Sequence, residues 1–270
     1  MENILLVYGL TGRCNLSCSY CIAKPSNSEQ EPDMPVETVQ KGYDKIRQMH
    51  PESFLEILCL GKGEPLLNWP AIEKIDQIKE NDNEIYCAVT TNGTLQEKVL
   101  ELARRDRWMI QISFDGIPNG IQRGSTDLVE DTLRKLTTIR DARYIVRMTV
   151  TQDNLTNLKE SLKYVHDLGV EFVSLGPAIP LGKYGEKIYE PNSFDFKAFA
   201  DCIFFAKEIG LKPMASIQEP CNLAVGGYYV LPDGRLSMCY LKDIEPNESL
   251  RIKAKEEGCL LFDLRGFNKK

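Results

Sequence analysis

Three cysteines, Cys14, Cys18 and Cys21, fall within eight residues in the spacing C-x3-C-x2-C. A cysteine thiolate is a nucleophile and a metal ligand, so the first question is which chemistry wants three so close together. A zinc site pairs its cysteines as C-x2-C and needs a fourth ligand nearby. A disulfide would leave one thiol over, in a chain whose other features point to a reducing compartment. A cubane iron–sulfur cluster can take three thiolates on three irons and leave the fourth iron open. An open iron can chelate a ligand that bears an amine and a carboxylate. The chain holds 9 cysteines among 270 residues. That is too few for a disulfide-stapled scaffold, which runs at about 8–10%, and enough for two metal clusters. Only two histidines exist, His50 and His166, which disfavours a histidine-rich metal site or a Ser-His-Asp hydrolase.

The elements that must position these thiols follow from the hydrophobic pattern. Short β-type runs rich in Ile, Val, Leu, Tyr and Phe cover 3–10, 54–60, 84–90, 108–114, 143–150 and 170–176. Helical periods lie between them. Pro35 stands at a first helical position, and Val36, Val39, Tyr43, Ile46 and Met49 mark one face. Trp69, Ile72, Ile75 and Ile78 mark a second helix, and Leu95, Val99 and Leu102 a third. Leu128, Leu133, Leu136 and Ile139 fit a fourth. In the fifth, Asn154 can cap, Leu155, Leu158, Leu162 and Val165 face inward, and Gly169 ends the helix. A sixth covers 194–209. Six β-then-α units in a row predict a parallel sheet with right-handed crossovers. Six is fewer than the eight of a closed barrel, so the expected fold is α/β, a partial (β/α)6 TIM-like barrel. Its functional residues belong at the C-terminal ends of the strands. After Lys212 the pattern becomes short and turn-rich, and Tyr228–Met238 reads as a β-hairpin around Pro232-Asp233-Gly234. The expected division is a barrel over 1–212 and a small extension of hairpin plus helix over 213–270. The stretch 182–192 reads as a polar loop, and the terminal Asn268-Lys269-Lys270 as frayed.

Lys+Arg 33 against Asp+Glu 39 gives a net charge of −6, which argues against a nucleic-acid partner. No apolar run approaches the roughly 20 residues that span a bilayer. The opening apolar run has no basic flank or cleavage site, so a strand is expected and a signal peptide is not. The expectation is a cytoplasmic protein with no membrane partner.

The segment Gly9-Leu10-Thr11-Gly12-Arg13-Cys14-Asn15-Leu16-Ser17-Cys18-Ser19-Tyr20-Cys21 resembles the signature of the radical S-adenosylmethionine (SAM) enzymes, C-x3-C-x-aromatic-C after the first strand of a partial (β/α)6 barrel. Tyr20 fills the aromatic slot, which in the family packs near the SAM adenine. Gly61-Lys62-Gly63-Glu64-Pro65 resembles the family's G-x-G-E-P segment: Gly61 and Gly63 let backbone approach the methionine moiety, and Glu64 can accept from its ammonium group. Lys62 stands where many members have glycine. Thr91-Asn92-Gly93 resembles the T-N-G turn. Ser113-Phe114-Asp115-Gly116 resembles the S-x-D-G segment, in which Ser113 would bind the SAM ribose. Arg147 on the fifth strand and Arg123 in the loop after Asp115 compete as partners of the SAM carboxylate. The resemblance covers residues 3–180 and implies a [4Fe–4S] cluster that splits SAM reductively into methionine and a 5′-deoxyadenosyl radical, which abstracts hydrogen from substrate.

Cys221 and Cys239 flank the hairpin in the pattern C-x12-G-x4-C. This resembles the opening of the SPASM/Twitch extension of that superfamily, which holds auxiliary iron–sulfur clusters. Only Cys259 follows, so the resemblance is to the shorter Twitch form with one auxiliary cluster, of [4Fe–4S] type. Cys221, Cys239 and Cys259 would then be three of its ligands. The fourth would be Cys202, a non-cysteine group, or an open iron. Cys59 and Cys87 read as core thiols, and Cys202 reads as core ahead of ligand. Glu219 offers a general base beside Cys221, against the plainer reading of a solvated carboxylate. His50 and His166 read as helix-end residues, Trp108 and Phe114 as core, and the charged runs 104–107 and 253–257 as solvated faces. The functional reading is oxidative modification of a peptide or protein side chain, with a flavodoxin- or ferredoxin-type reductant. A small-molecule Twitch dehydrogenase acting on an amino-sugar or aminocyclitol alcohol is the alternative. A non-catalytic zinc or iron–sulfur protein is the alternative from another class. With the first strand pattern opening the chain, no N-terminal peptide-binding domain is expected.

Overall fold

A computed structural model describes residues 2–22, 32–178, 194–215, 226–239 and 243–257. Cys221, Cys259, Glu219, the stretch 182–192 and Asn268-Lys269-Lys270 lie outside the described residues. The chain divides into two compact units. One comprises the described residues within Met1–Asn15, Pro25–Val89 and Gln218–Lys270, and the other those within Leu16–Lys24 and Thr90–Ile217.

In the first unit β1 (Asn3–Tyr8) is followed by α1 (Val36–Met49), β2 (Phe54–Cys59), a single 3₁₀ turn (Pro65–Leu67), α2 (Trp69–Asn81) and β3 (Ile85–Thr91). β1 and β2 pair in parallel with Tyr8 opposite Cys59, and β2 and β3 pair in parallel with Cys59 opposite Val89. Parallel neighbours need a crossover, and α1 and α2 supply it. In α1 Glu37 sits in the first turn and Arg47 in the last, each of the sign the helix dipole favours. The buried stripe of α1 is Thr38, Val39, Gly42 and Ile46, whereas Met49 is 48% exposed. Pro35 is one residue outside the helix, in extended geometry, where its fixed φ still suits the turn into α1. Asn68, buried between the 3₁₀ turn and α2, donates to the carbonyls of Leu10 (2.8 Å) and Met34 (3.0 Å). It thereby ties the end of β1 to the approach of α1.

The second unit runs α3 (Gln96–Ala103), β4 (Trp108–Ser113), α4 (Asn119–Gln122), α5 (Thr126–Leu136), β5 (Tyr144–Val150), α6 (Gln152–Leu155), α7 (Leu158–Asp167), β6 (Phe172–Pro177), α8 (Phe196–Glu208) and β7 (Lys212–Ala215). Its pairings β4–β5, β5–β6 and β6–β7 are all parallel. Trp108, Phe114, Val146, Leu162 and Leu175 are buried. The α/β class with parallel strands holds in both units.

Three further local expectations change. The buried stripe of α5 is Val129, Thr132, Leu133 and Leu136, with Leu128 42% exposed. A threonine can occupy this interior because its hydroxyl donates to the Gly93 carbonyl at 3.0 Å. Asn154 is not the cap of the fifth helical segment. Thr151 caps α6, and Asn154 is the reciprocal member of a capping box: Asn154 N–H donates to Thr151 Oγ1 and Thr151 N–H donates to Asn154 Oδ1. The helical pattern then restarts as α7. Finally, β7 is a seventh parallel strand, and the boundary expected at 212/213 falls inside it. At four residues it is too short to give a periodic signal.

The expected hairpin is present as β8 (Tyr228–Val230) and β9 (Leu236–Ser237), paired antiparallel. β8 also pairs in parallel with β1, Tyr8 opposite Val230. The helix after it is α9 (Glu248–Glu257). Arg251 of α9 donates to the Gly227 carbonyl and lies over the Tyr228 ring at 4.7 Å. Among the described residues no helix is long and apolar enough to cross a membrane.

Asn68→Ala removes two buried hydrogen bonds at the end of β1 and is expected to cost about 2 kcal/mol. Asn81→Ala, at an exposed helix end, is expected to change stability by less than about 0.5 kcal/mol. Urea unfolding of the two variants checks the difference.

Candidate functional site

The first unit carries Cys14 on the segment that leaves β1. Thr11 Oγ1 donates to Asp33 Oδ1 at 2.7 Å and accepts the Arg13 N–H at 3.0 Å, while Arg13 Nε donates to Asp33 Oδ1 at 2.9 Å. These bonds fix the three residues before Cys14. They hold the Asp33 carboxyl below its usual range, although burial alone would raise it. The Arg13 carbonyl accepts the Glu64 N–H at 2.8 Å. That bond brings the G-x-G-E-P segment against the cysteine segment so closely that Gly63 has no room for a side chain. A Cβ there would collide with the carbonyl oxygens of Arg13 and Thr11. At Gly61 a Cβ would stand 2.9 Å from the Gly9 Cα. Both glycines are half-buried, as is Lys62. Glu64 is 2% exposed, and its Oε1 accepts the Leu66 N–H at 3.1 Å, capping the 3₁₀ turn.

The second unit carries Cys18, Tyr20 and Cys21. The Cys21 N–H donates to the Cys18 carbonyl at 3.3 Å, and the Ser19 N–H to the Gln122 carbonyl at 2.8 Å. Tyr20 is buried. Its hydroxyl donates to Asp115 Oδ2 and accepts from Arg123 Nη1. Asp115 Oδ1 accepts the Thr149 N–H at 2.9 Å, and the Asp115 N–H donates to Asn119 Oδ1 at 3.1 Å. Burial pushes the Asp115 carboxyl up, against the pull of Arg123. Burial likewise raises the Tyr20 hydroxyl. Ser113 and Arg147 are register partners across β4 and β5, and both are half-buried. Arg147 Nη1 donates to Gln111 Oε1 at 2.8 Å, which also accepts the Thr90 hydroxyl at 2.9 Å. Asn92 is buried, and its Oδ1 accepts both the Thr94 N–H (3.0 Å) and the Thr94 hydroxyl (2.6 Å), the geometry of an Asx turn.

Of the site residues read from the sequence, the structure brings Tyr20, Asp115 and Arg123 into contact and pairs Ser113 with Arg147. Those not foreseen are Asp33, Gln111 and Gln122, whose partners lie tens of residues away and leave no short-range signal. Cys14, Cys18 and Cys21 are each half-buried. Among the described residues no three His, Cys, Asp or Glu side chains converge on a single ion. A cubane takes its thiolates one per iron and does not ask for that convergence. Cys59, Cys87 and Cys202 are buried, and burial raises the Cys59 and Cys202 thiols. Cys239 is half-buried at the end of the hairpin, where Ser237 Oγ accepts the N–H groups of Cys239 (3.1 Å) and Ile244 (3.0 Å).

The model of the Radical SAM superfamily matches residues 8–180. An uncharacterised protein of Methanocaldococcus jannaschii is 33% identical over 278 residues, covering 94% of this chain and 93% of its own. The tungsten-containing aldehyde ferredoxin oxidoreductase cofactor-modifying protein of Pyrococcus furiosus is 27% identical over 188 residues, covering 64% of this chain. This match spans about half, 51%, of the Pyrococcus protein. In fold, the crystal structure of Streptococcus suis SuiB bound to precursor peptide SuiA matches with a TM-score of 0.68 at 14% identity, covering 94% of this chain and 67% of that one.

Gly63→Ala is expected to destabilise the protein by about 1–3 kcal/mol, because carbonyl backbone cannot yield as a side chain can. Gly226→Ala, where an added Cβ meets no atom of the described residues within 4 Å, is expected to stay within about 0.5 kcal/mol of the parent. Thermal unfolding of both checks the contrast.

Proposed function

Because the chain belongs to the Radical SAM superfamily, we propose that it is an oxidative, SAM-cleaving enzyme acting on a peptide or protein side chain. Membership implies a [4Fe–4S] cluster and SAM. The observation that carries the reading is the set of three half-buried thiols, Cys14, Cys18 and Cys21, on the segment that leaves the first strand. These three would hold the cluster. When bound, the cluster supplies the electron that splits SAM into methionine and a 5′-deoxyadenosyl radical, which takes a hydrogen atom from substrate.

The chain's own residues would do the binding and orienting. The backbone of Gly61 and Gly63 presents no side chain to the methionine moiety of SAM. Glu64 would accept from its ammonium group. Ser113 would meet the ribose, and the Asn92 turn would border the same ligand. Arg147 and Arg123 are the two guanidinium groups available to the SAM carboxylate.

The C-terminal extension would be of the short SPASM/Twitch type, with Cys221, Cys239 and Cys259 on an auxiliary [4Fe–4S] cluster and Glu219 as a base for the substrate's departing proton. The Ser237 hydroxyl that organises the backbone on both sides of Cys239 supports a ligand role for that thiol. A peptide substrate is supported by the likeness in fold to SuiB, which binds a precursor peptide. The electron would come from a flavodoxin- or ferredoxin-type donor.

The test is iron content and SAM cleavage after anaerobic reconstitution. Wild type is expected to yield 5′-deoxyadenosine under a strong reductant. The variant with Cys14→Ala, Cys18→Ala and Cys21→Ala is expected to keep roughly half the iron, one cubane per chain, and to yield none. An iron-free variant overturns the auxiliary cluster. A fully loaded wild type that yields no 5′-deoxyadenosine overturns the enzyme. A product formed from an amino-sugar or aminocyclitol alcohol, with no peptide modified, overturns the peptide substrate.

A further inference from the structure

We propose that Arg123 is a positioning residue: with Asp115 it latches the Tyr20 hydroxyl, and so the turn bearing Cys18 and Cys21, to the end of β4. The proposal rests on the cluster reading above and assigns work within it.

The geometry of the latch is closed. Tyr20 is 7% exposed, and the side chains of Asp115 and Arg123 are 0% and 10% exposed. The Tyr20 hydroxyl uses its one hydrogen on Asp115 and a lone pair on Arg123. The Arg123 guanidinium also lies over the Tyr20 ring, 5.6 Å from its centre. Asp115 and Arg123 stand 4.0 Å apart, so the cation arrives at the site with its charge already answered. A second carboxylate would have to compete with a buried one that cannot leave.

The anchor is itself held from several directions. Asp115 is fixed by the Thr149 N–H and by Asn119. Gln122, adjacent to Arg123, accepts the Ser19 N–H on its carbonyl and donates through Nε2 to Thr151 Oγ1 at 3.0 Å. Asn154 Nδ2 donates to Gln122 Oε1 at 3.0 Å. The capping box of α6 therefore steadies α4, and α4 steadies the cysteine turn by one backbone bond beside the side-chain latch. A short turn with two half-buried thiols has little packing of its own to hold it, and these bonds supply the restraint. Arg123 Nε is buried without a hydrogen-bond partner among the described residues. A SAM carboxylate delivered to that nitrogen is the competing reading, and it makes a different prediction.

The test compares the full-length chain, reconstituted anaerobically, with Tyr20→Phe, Arg123→Gln and the double variant. Tyr20→Phe keeps the ring and its volume and deletes only the latching oxygen, so it remains informative if Arg123→Gln folds poorly. Two readouts are taken. One is the rate at which a chelator removes the iron that the Cys14→Ala, Cys18→Ala, Cys21→Ala variant lacks. The other is the SAM concentration that half-converts the EPR spectrum of the reduced cluster.

A latch predicts that each single variant loses that iron about fivefold to tenfold faster, and that the double variant is no faster than either, because both cut the same link. SAM half-conversion then stays within about twofold of wild type, since Tyr20→Phe keeps the ring that would pack near SAM and the latch, not SAM, occupies Arg123. The proposal is overturned if Arg123→Gln raises the SAM requirement tenfold while Tyr20→Phe leaves iron release at the wild-type rate. Additive effects in the double variant overturn it too. A wild-type chain that loads no iron at the three cysteines would overturn the cluster reading itself, and the latch with it.

Discussion

One backbone hydrogen bond sets the terms for the cysteine segment: the Glu64 N–H to the Arg13 carbonyl. It joins the ends of two parallel strands at the residue before Cys14. Two main chains can meet this closely only if one presents glycine, which Gly63 does. The same bond accounts for the placement of Glu64. With its N–H committed to Arg13 and Oε1 committed to Leu66, its carboxylate is buried in a fixed direction. Asp33 completes the restraint from the other side by holding Thr11 and Arg13 together. Rigid placement here comes from hydrogen bonds to the main chain, because a segment of glycine, threonine and cysteine has few apolar atoms to pack.

The second unit solves the same problem with side chains. The turn at Cys18 and Cys21 is held by a tyrosine hydroxyl, a buried carboxylate and a buried guanidinium. Burying a charge costs several kcal/mol unless it is paired and its hydrogen bonds are met. Asp115 meets that condition through Arg123, Tyr20 and the Thr149 N–H, and Arg123 is paired with Asp115 and bonded to Tyr20 through Nη1, with only its Nε left over among the described residues. Burial raises the Tyr20 hydroxyl, which keeps it a hydrogen-bond donor and keeps the network whole. Removing any one member would leave a buried polar group unanswered, so the three residues act as one restraint.

What could be read from the sequence was local. The βα alternation, the cysteine triplet, the hairpin turn and the core positions of Cys59, Cys87, Trp108 and Phe114 all express themselves within a few residues. What could not be read was set by distant partners. Tyr20 meets Asp115 and Arg123 across 95 and 103 positions of sequence. The hairpin was legible from Pro232-Asp233-Gly234, but the parallel pairing of β8 with β1 was not, because no pattern within a strand names its neighbour. Thr132 in a buried position looks like an error in an apolar stripe until the Gly93 carbonyl is seen beside it. Likewise Asn154 looks like a cap from the sequence, and Thr151 shows that it is the other half of one.

Burial sorts the described cysteines by the chemistry open to them. Cys59, Cys87 and Cys202 lie in the core, and burial raises the Cys59 and Cys202 thiols, away from the thiolate that a metal requires. Cys14, Cys18, Cys21 and Cys239 are half-buried, each on a loop or strand end whose main chain is restrained by named hydrogen bonds. A ligand thiol needs both conditions at once. It must be exposed enough to meet iron, and held firmly enough that the bound metal does not have to supply the order. A fully buried cysteine fails the first requirement, and a cysteine on an unrestrained loop fails the second. That four described thiols meet both is what separates metal-binding candidates from core residues of the same type, and the spacing of cysteines alone cannot make that distinction.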